Sequence, residues 1–381
     1  LVPQSIAVTL TICTSTVARS HPAGAAGNQA PYSAATPAEC EINDVTNQPP
    51  PLVGFDPLAC DPALGRALGR YCGPVPALDE LALEAGSGTA REHGRLADLH
   101  QPVLHTHDRY GHRIDEVEFH PSWHWLMRRA VAHGLHAAPW APDAAHAAHL
   151  VRAAGFYLWT QVEAGHGCPL SMTYAAVPAL RHCPELSAQW EPGLCSRVYD
   201  PGSRAPAGKD GLLAGMSMTE KQGGSDVRAN TTTATLAGGA YRLVGHKWFT
   251  SAPMNDVFLT LAYAPAGLTC FAVPRVLPDG TRNGIRLQRL KNKLGNRANA
   301  SAEIEYDGTL GWAVGAEGRG GSHDHRDGDD DPAGLRDRLR LHHPGSAVRG
   351  RAPCGAPPSV RGPAGRRTAD GGGGGRSRAG K

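Results

Sequence analysis

The hydrophobic period of this chain changes near residue 211, and that change restricts the fold more than any single motif. From about residue 43 to 210, apolar residues recur at helical spacing. Leu78–Leu99 carries Leu and Ala at that spacing, with a break expected at Gly86-Ser87-Gly88. Ser122–His136 follows Pro121 with a Trp/Leu/Met/Ala/Val stripe, which predicts another helix. Ala144–Glu163 is an Ala-rich amphipathic run that stops near Gly165-His166-Gly167. A further helix starts near Pro169-Leu170-Ser171 and runs through MTYAAVPAL. From about 211 to 318 the period falls to two. Thr231–Leu236 and Tyr241–Trp248 alternate on either side of Gly238-Gly239, which is a β-hairpin signal. Asp256–Tyr263, Leu268–Val273 and Ser301–Tyr306 read as further strands. The expected fold class is α+β: a helical domain over 43–210, then a small antiparallel β-barrel or sandwich over 211–318.

The two ends read differently. Residues 1–42 are Ala, Pro, Ser and Thr with few large apolar groups. Such a segment cannot bury enough surface to offset its ordering entropy, so a disordered extension is expected. Residues 319–381 are rich in Gly, Arg, Pro and Asp and have no period; from Gly321 onward they carry 12 basic and 7 acidic side chains. The chain as a whole has a formal charge of +3, so its basic excess lies in this tail. Disorder is expected here as well. Out-of-frame translation of GC-rich coding sequence would give such a tail. The rival reading is a natural arginine-rich segment that binds nucleic acid.

Composition excludes several classes. A charge of +3 on 381 residues is too small to imply a polyanion partner by itself. Nine scattered cysteines without a C-x-x-C argue against a disulfide framework or zinc knuckle, and fit a reducing, cytoplasmic setting. No apolar run is long enough to span a bilayer. Ile6–Cys13 is a short apolar stretch without a basic segment before it, which argues against a signal peptide. His105, His107 and His112 sit close together, but no cysteine or carboxylate pattern completes a metal site, so surface histidines in a loop are expected. His323-Asp324-His325 and the later DGDDD lack the bidentate Glu and flanking helices of a calcium loop.

The stretch Gly215–Val227 reads GMSMTEKQGGSDV. It does not match the usual glycine-rich phosphate loops. By itself a Gly-Gly-Ser-Asp turn is an ordinary turn. TEKQGGSDV, however, resembles the TE-x-x-x-GSD signature of the acyl-CoA dehydrogenase flavoproteins. GMSMTEKQGGSDVRANTTT, YRLVGHKWFTSAP and PDGTRNGIRLQRLKNKLGNRANASAEIEYDG together resemble its AidB-type branch, over about residues 43–320. Lys221-Gln222 stands where most of the family has Pro-Gly after Thr-Glu, a departure shared with that branch, and it speaks against ordinary fatty acyl-CoA chemistry.

The resemblance implies an N-terminal helical domain, a middle β-domain that holds FAD, and a C-terminal helical bundle that this sequence does not show. It implies that Gly223 and Gly224 let backbone amides approach the pyrophosphate, because no Cβ blocks them. Ser225 would add a hydroxyl donor, and Met216, Met218 and Thr219 would lie by the flavin ring. KWFTS resembles the second flavin segment, which puts Phe249 on the ring face, Ser251 at its reactive nitrogen and Thr250 between them. The implied chemistry is α,β-dehydrogenation of an acyl-CoA thioester, with a Glu from the C-terminal bundle as base. No catalytic base is therefore assigned here, and Glu220 belongs to the cofactor turn. The resemblance also implies homo-oligomers held largely by that bundle, and, for the AidB branch, protection of double-stranded DNA. A nonfunctional fragment is the third reading.

Overall fold

The computed structural model describes residues 52–144 and 147–319. The expectations for residues 1–42 and for the tail after Arg319, including its nucleic-acid reading, lie outside the described residues. Helices α1 (Pro62–Tyr71), α2 (Pro76–Ala85), α3 (Gly88–Leu99), α4 (Pro121–Ala132), α5 (Ala148–Thr160), α6 (Gly167–Leu180) and α7 (Pro184–Leu194) form the first unit. Among them α1, α2, α4 and α7 open on proline, whose missing N–H would be unsatisfied there in any case. The break expected at Gly86-Ser87-Gly88 separates α2 from α3. A Cβ on Gly86 would fall 1.7 Å from the Phe55 carbonyl oxygen, and Ser87 caps α3 by accepting from Ala90 N at 3.1 Å. The apolar stripes meet in a core around Leu81, Trp123, Leu126, Met127, Trp159 and Leu170. Among the described residues, no helix is long and apolar enough to cross a membrane.

This unit is not wholly helical. Strands β1 (Val103–His107) and β2 (Arg113–Glu118) form an antiparallel hairpin between α3 and α4. His105 and His107 therefore lie on a strand and only His112 in the connecting turn, which corrects the loop expectation. His105 meets Glu118 at 2.8 Å and His112 meets Asp108 at 3.1 Å. The hairpin docks on the second unit through Arg113, which donates to the Leu287 carbonyl at 2.7 Å. Arg275 reaches back to the Asp115 carbonyl, also at 2.7 Å.

The second unit comprises β3 (Ala214–Ser217), β4 (Thr233–Ala237), β5 (Ala240–Ser251), β6 (Val257–Ala264), β7 (Gly267–Pro274), β8 (Ile285–Leu290) and β9 (Ser301–Ala313). Strand β5 pairs with β9 on one edge and with β4 and β3 on the other; β6 and β7 complete the ring, which closes into a barrel. Closure removes sheet edges. Leu243, Phe258, Phe271, Val273, Leu287 and Ile304 fill its interior. The barrel is not purely antiparallel: β3 runs parallel to β6, from Ala214↔Val257 to Ser217↔Thr260. Thr173 on α6 stitches the two units together, its hydroxyl accepting from Ala214 N at 3.0 Å.

Gly245 marks a close approach of two barrel segments. Its φ is 151°, and a Cβ there would lie 2.5 Å from Thr232 Oγ1 and 2.7 Å from Thr232 Cα. Gly245→Ala should therefore destabilise the fold by about 1–3 kcal/mol, the usual cost of overpacking. Denaturant unfolding measures this, and unchanged stability would show that β4 and β5 can separate there.

Candidate functional site

The chain leaves β3 at Ser217 and turns before β4. Glu220 is fully buried at the start of that turn. Its Oε1 accepts from Lys247 Nζ at 2.8 Å, Thr232 Oγ1 at 2.6 Å and Thr232 N at 3.1 Å. Its Oε2 accepts from Thr231 N at 2.6 Å, Thr231 Oγ1 at 2.9 Å and Gln222 Nε2 at 2.9 Å. Lys247 is also fully buried, and its ammonium gives a further hydrogen bond to the Leu261 carbonyl at 2.7 Å. Burial works to raise the Glu220 pKa, but Lys247, the Thr232 hydroxyl and the other donors together outweigh it and hold the carboxyl far below the usual carboxylate range. Burial lowers the Lys247 pKa, with Glu220 working against it.

This pair anchors the Gly-Gly-Ser turn. Gly223 N bonds back to the Glu220 carbonyl at 3.0 Å, and Gly223 has φ 114° with open space where a Cβ would stand. Gly224 packs tightly, since a Cβ there would lie 2.6 Å from Thr219 Oγ1. Ser225 is exposed at the turn's tip. Met216 and Met218 are half-buried against the apolar core between α6, α7 and the barrel.

The end of β5 supplies the other half of the site. Lys247 pairs with Ile304, but the next pairing is Thr250 with Ala302, so β5 carries one extra residue there. This β-bulge suspends the two-residue alternation. Lys247 and Thr250 both face inward, whereas Trp248 and Phe249 both lie outside, and Phe249 is 47% exposed. The Thr250 side chain is thus buried, and its hydroxyl pairs with Ser217 inside the barrel. Ser251 is half-buried, stands opposite Met216, and meets the Ser301 hydroxyl at 3.1 Å. Trp248 N donates to the Thr219 carbonyl at 2.7 Å, so the turn and the bulge lie side by side. Lys291 Nζ sits 3.3 Å from the Trp248 ring centre and 4.6 Å from that of Phe249.

The sequence reading missed Thr231 and Thr232 as anchors of the turn and took them for the start of a strand. Their run of three threonines, Thr231–Thr233, just before β4 was the available signal. It also missed a cavity of about 310 Å³ between the units, lined by Trp123, Met127, Tyr199, Asp256 and Arg275 among others. Lys209 closes on Asp256 there at 2.6 Å. None of the expected site residues lines it.

Lys247→Met leaves the Glu220 carboxylate buried without its cation. A loss of about 3–5 kcal/mol is expected, with partial recovery on adding Glu220→Gln. Because the folded pKa of Glu220 lies below its unfolded value of about 4.3, the stability it contributes is complete above that pH and is lost as pH falls below it. Unfolding free energies of the wild type and both variants between about pH 3 and 7 check this. A wild type and double variant with the same acid profile would assign the acid sensitivity elsewhere.

The chain matches known proteins in two blocks. Residues 47–201 match the adaptive response protein AidB N-terminal domain, and residues 215–309 match the acyl-CoA dehydrogenase middle domain. AidB of Escherichia coli (strain K12) is 47% identical over 284 residues, which is 74% of this chain and 52% of that protein. Acyl-CoA dehydrogenase family member 11 of Caenorhabditis elegans is 32% identical over 70% of this chain and 45% of its own length. The chain thus spans about half the length of these relatives. Among solved structures, apo Bd2924 superposes with a TM-score of 0.65 at 30% identity, over 76% of this chain and 58% of that one. Caenorhabditis elegans ACDH-11 in complex with C11-CoA gives 0.65 at 27% identity, over 83% of this chain and 54% of that one. With the helical unit and the β-barrel each matched in order, this chain belongs to the acyl-CoA dehydrogenase family, in its AidB-type branch.

Proposed function

We propose that the turn Met218–Ser225 and the bulged end of β5 hold FAD, in a protein that oxidises an acyl-CoA thioester. The observation that carries this reading is the Trp248 N–Thr219 O bond, which sets the two halves of the site side by side. The donor set and shape fit the cofactor. Gly223 leaves open space beside a backbone turn, Ser225 offers an exposed hydroxyl, and Phe249 presents an outward ring face. FAD, when bound, supplies the hydride acceptor for α,β-oxidation. The chain's own groups bind and orient. Ser225 donates toward phosphate oxygen, Phe249 covers a ring face, and Ser251 offers its hydroxyl at the ring edge. Glu220 is not available as a base, because its carboxylate is buried and accepts from Lys247, Thr231, Thr232 and Gln222. A CoA thioester as substrate class is supported by the ACDH-11 likeness, since that protein was solved with C11-CoA.

Ser225→Ala removes a hydrogen bond to a charged group. FAD affinity should fall by about 1.5–3 kcal/mol, roughly ten- to a hundredfold. Titration of the purified 381-residue chain with FAD, followed by flavin fluorescence, gives the comparison. Unchanged affinity in a folded variant would remove Ser225 from the site, and no binding by the wild type would end the flavin reading for this chain.

A further inference from the structure

Ser251 closes β5, and its cross-strand partner is Ser301, the first residue of β9. Their hydroxyl oxygens are 3.1 Å apart. Ser301 Oγ in turn lies 3.3 Å from Lys293 Nζ, in the connection between β8 and β9. The same ammonium donates to the Asn299 carbonyl at 2.6 Å. Ser301 and Asn299 are buried, and Lys293 and Ser251 are half-buried. Three polar groups thus run in line from Lys293 to the edge of the proposed flavin site.

Chemistry fixes the direction of the first bond in that line. An ammonium has hydrogens to give and no lone pair to receive one. Ser301 Oγ must therefore accept from Lys293. Ser301 keeps one hydrogen and one lone pair, either of which can serve its contact with Ser251 Oγ; donation toward Ser251 is the direction taken here. With Ser301 donating, Ser251 accepts and its own O–H is left to point elsewhere. The Cys168 thiol lies against Ser251 and Asn299 and is the neighbouring acceptor, but sulfur accepts weakly. A ring nitrogen with a free lone pair is the better partner.

We infer that Lys293 and Ser301 are positioning residues that fix the line Lys293→Ser301→Ser251, so that Ser251 presents its O–H as a donor to N5 of oxidised flavin. The inference rests on the proposed FAD site. It adds that the orientation of the Ser251 hydroxyl is set from behind, by a charge, and not by the cofactor alone. Cys168 Sγ is the acceptor for this hydrogen when the cofactor is away.

The test compares FAD with 5-deaza-FAD, in which C–H replaces N5 and cannot accept a hydrogen bond. The full 381-residue chain should bind FAD about tenfold more tightly than the analogue, the worth of one such bond. Ser251→Ala should abolish the preference. Ser301→Ala and Lys293→Met should each cut it to about twofold or less, because the hydroxyl line then turns freely. Lys293→Arg, again a pure donor, should keep it, and Ser225→Ala should weaken both ligands equally. The preference is a ratio taken within one variant, so a general loss of packing cancels. A full preference in both Lys293→Met and Ser301→Ala overturns the inference. Equal binding of the two ligands by the wild type also overturns it while leaving the flavin site standing, and binding of neither ends both.

Discussion

The buried pair of Glu220 and Lys247 is the constraint on which the site depends. A carboxylate and an ammonium without solvent are costly unless every lone pair and proton is engaged. Here Glu220 draws in Thr231 and Thr232 from the segment that leads into β4 and Gln222 from its own turn, while Lys247 also binds the Leu261 carbonyl on β6. One interaction thereby fixes three strands and a turn. It is a registration device: any other placement of the turn on the barrel would leave a charge unpaired in the interior.

The same residues show why the site divides into a rigid and an accessible half. Side chains that face inward are spent on structure, as with Lys247, Thr250 and Glu220. Those that face outward have room to meet a ligand, as with Ser225 and Phe249. The family signature thus mixes two kinds of residue, some touching the cofactor and some holding up those that do. Position in a motif does not separate them; burial does.

Much of this architecture was legible in the sequence because its signals are local. Gly238-Gly239 makes a two-residue turn with both φ values positive, 61° and 85°, and the flanking alternation predicted its strands. The Gly86-Ser87 break and the proline-led helix starts act over single turns. What was not legible depends on distant partners. The β1–β2 hairpin is polar and half-exposed, and it is held by Arg113 and Arg275 reaching across to it and from it. Strand β3 is four residues long and owes most of its pairing to β6, which runs beside it. The bulge at Trp248-Phe249 is set by where β9 resumes pairing, and no local pattern marks it. That is why Thr250 was grouped with its neighbours although its side chain points the other way.

The bulge also gives this part of the chain a parity. Between Lys247 and Thr250 the strand carries one more residue than its partner. A single deletion there would restore strict alternation with Lys247 and Thr250 still facing inward, and would leave one outward ring where there are now two. Pairing the same residues without the bulge would instead turn Phe249 into the barrel and the Thr250 hydroxyl out of it. Loop lengths elsewhere can drift, as at the β7–β8 connection, whose Asp279-Gly280 tip is exposed. At the bulge, length itself is part of the information, and a substitution is a smaller change than a gap.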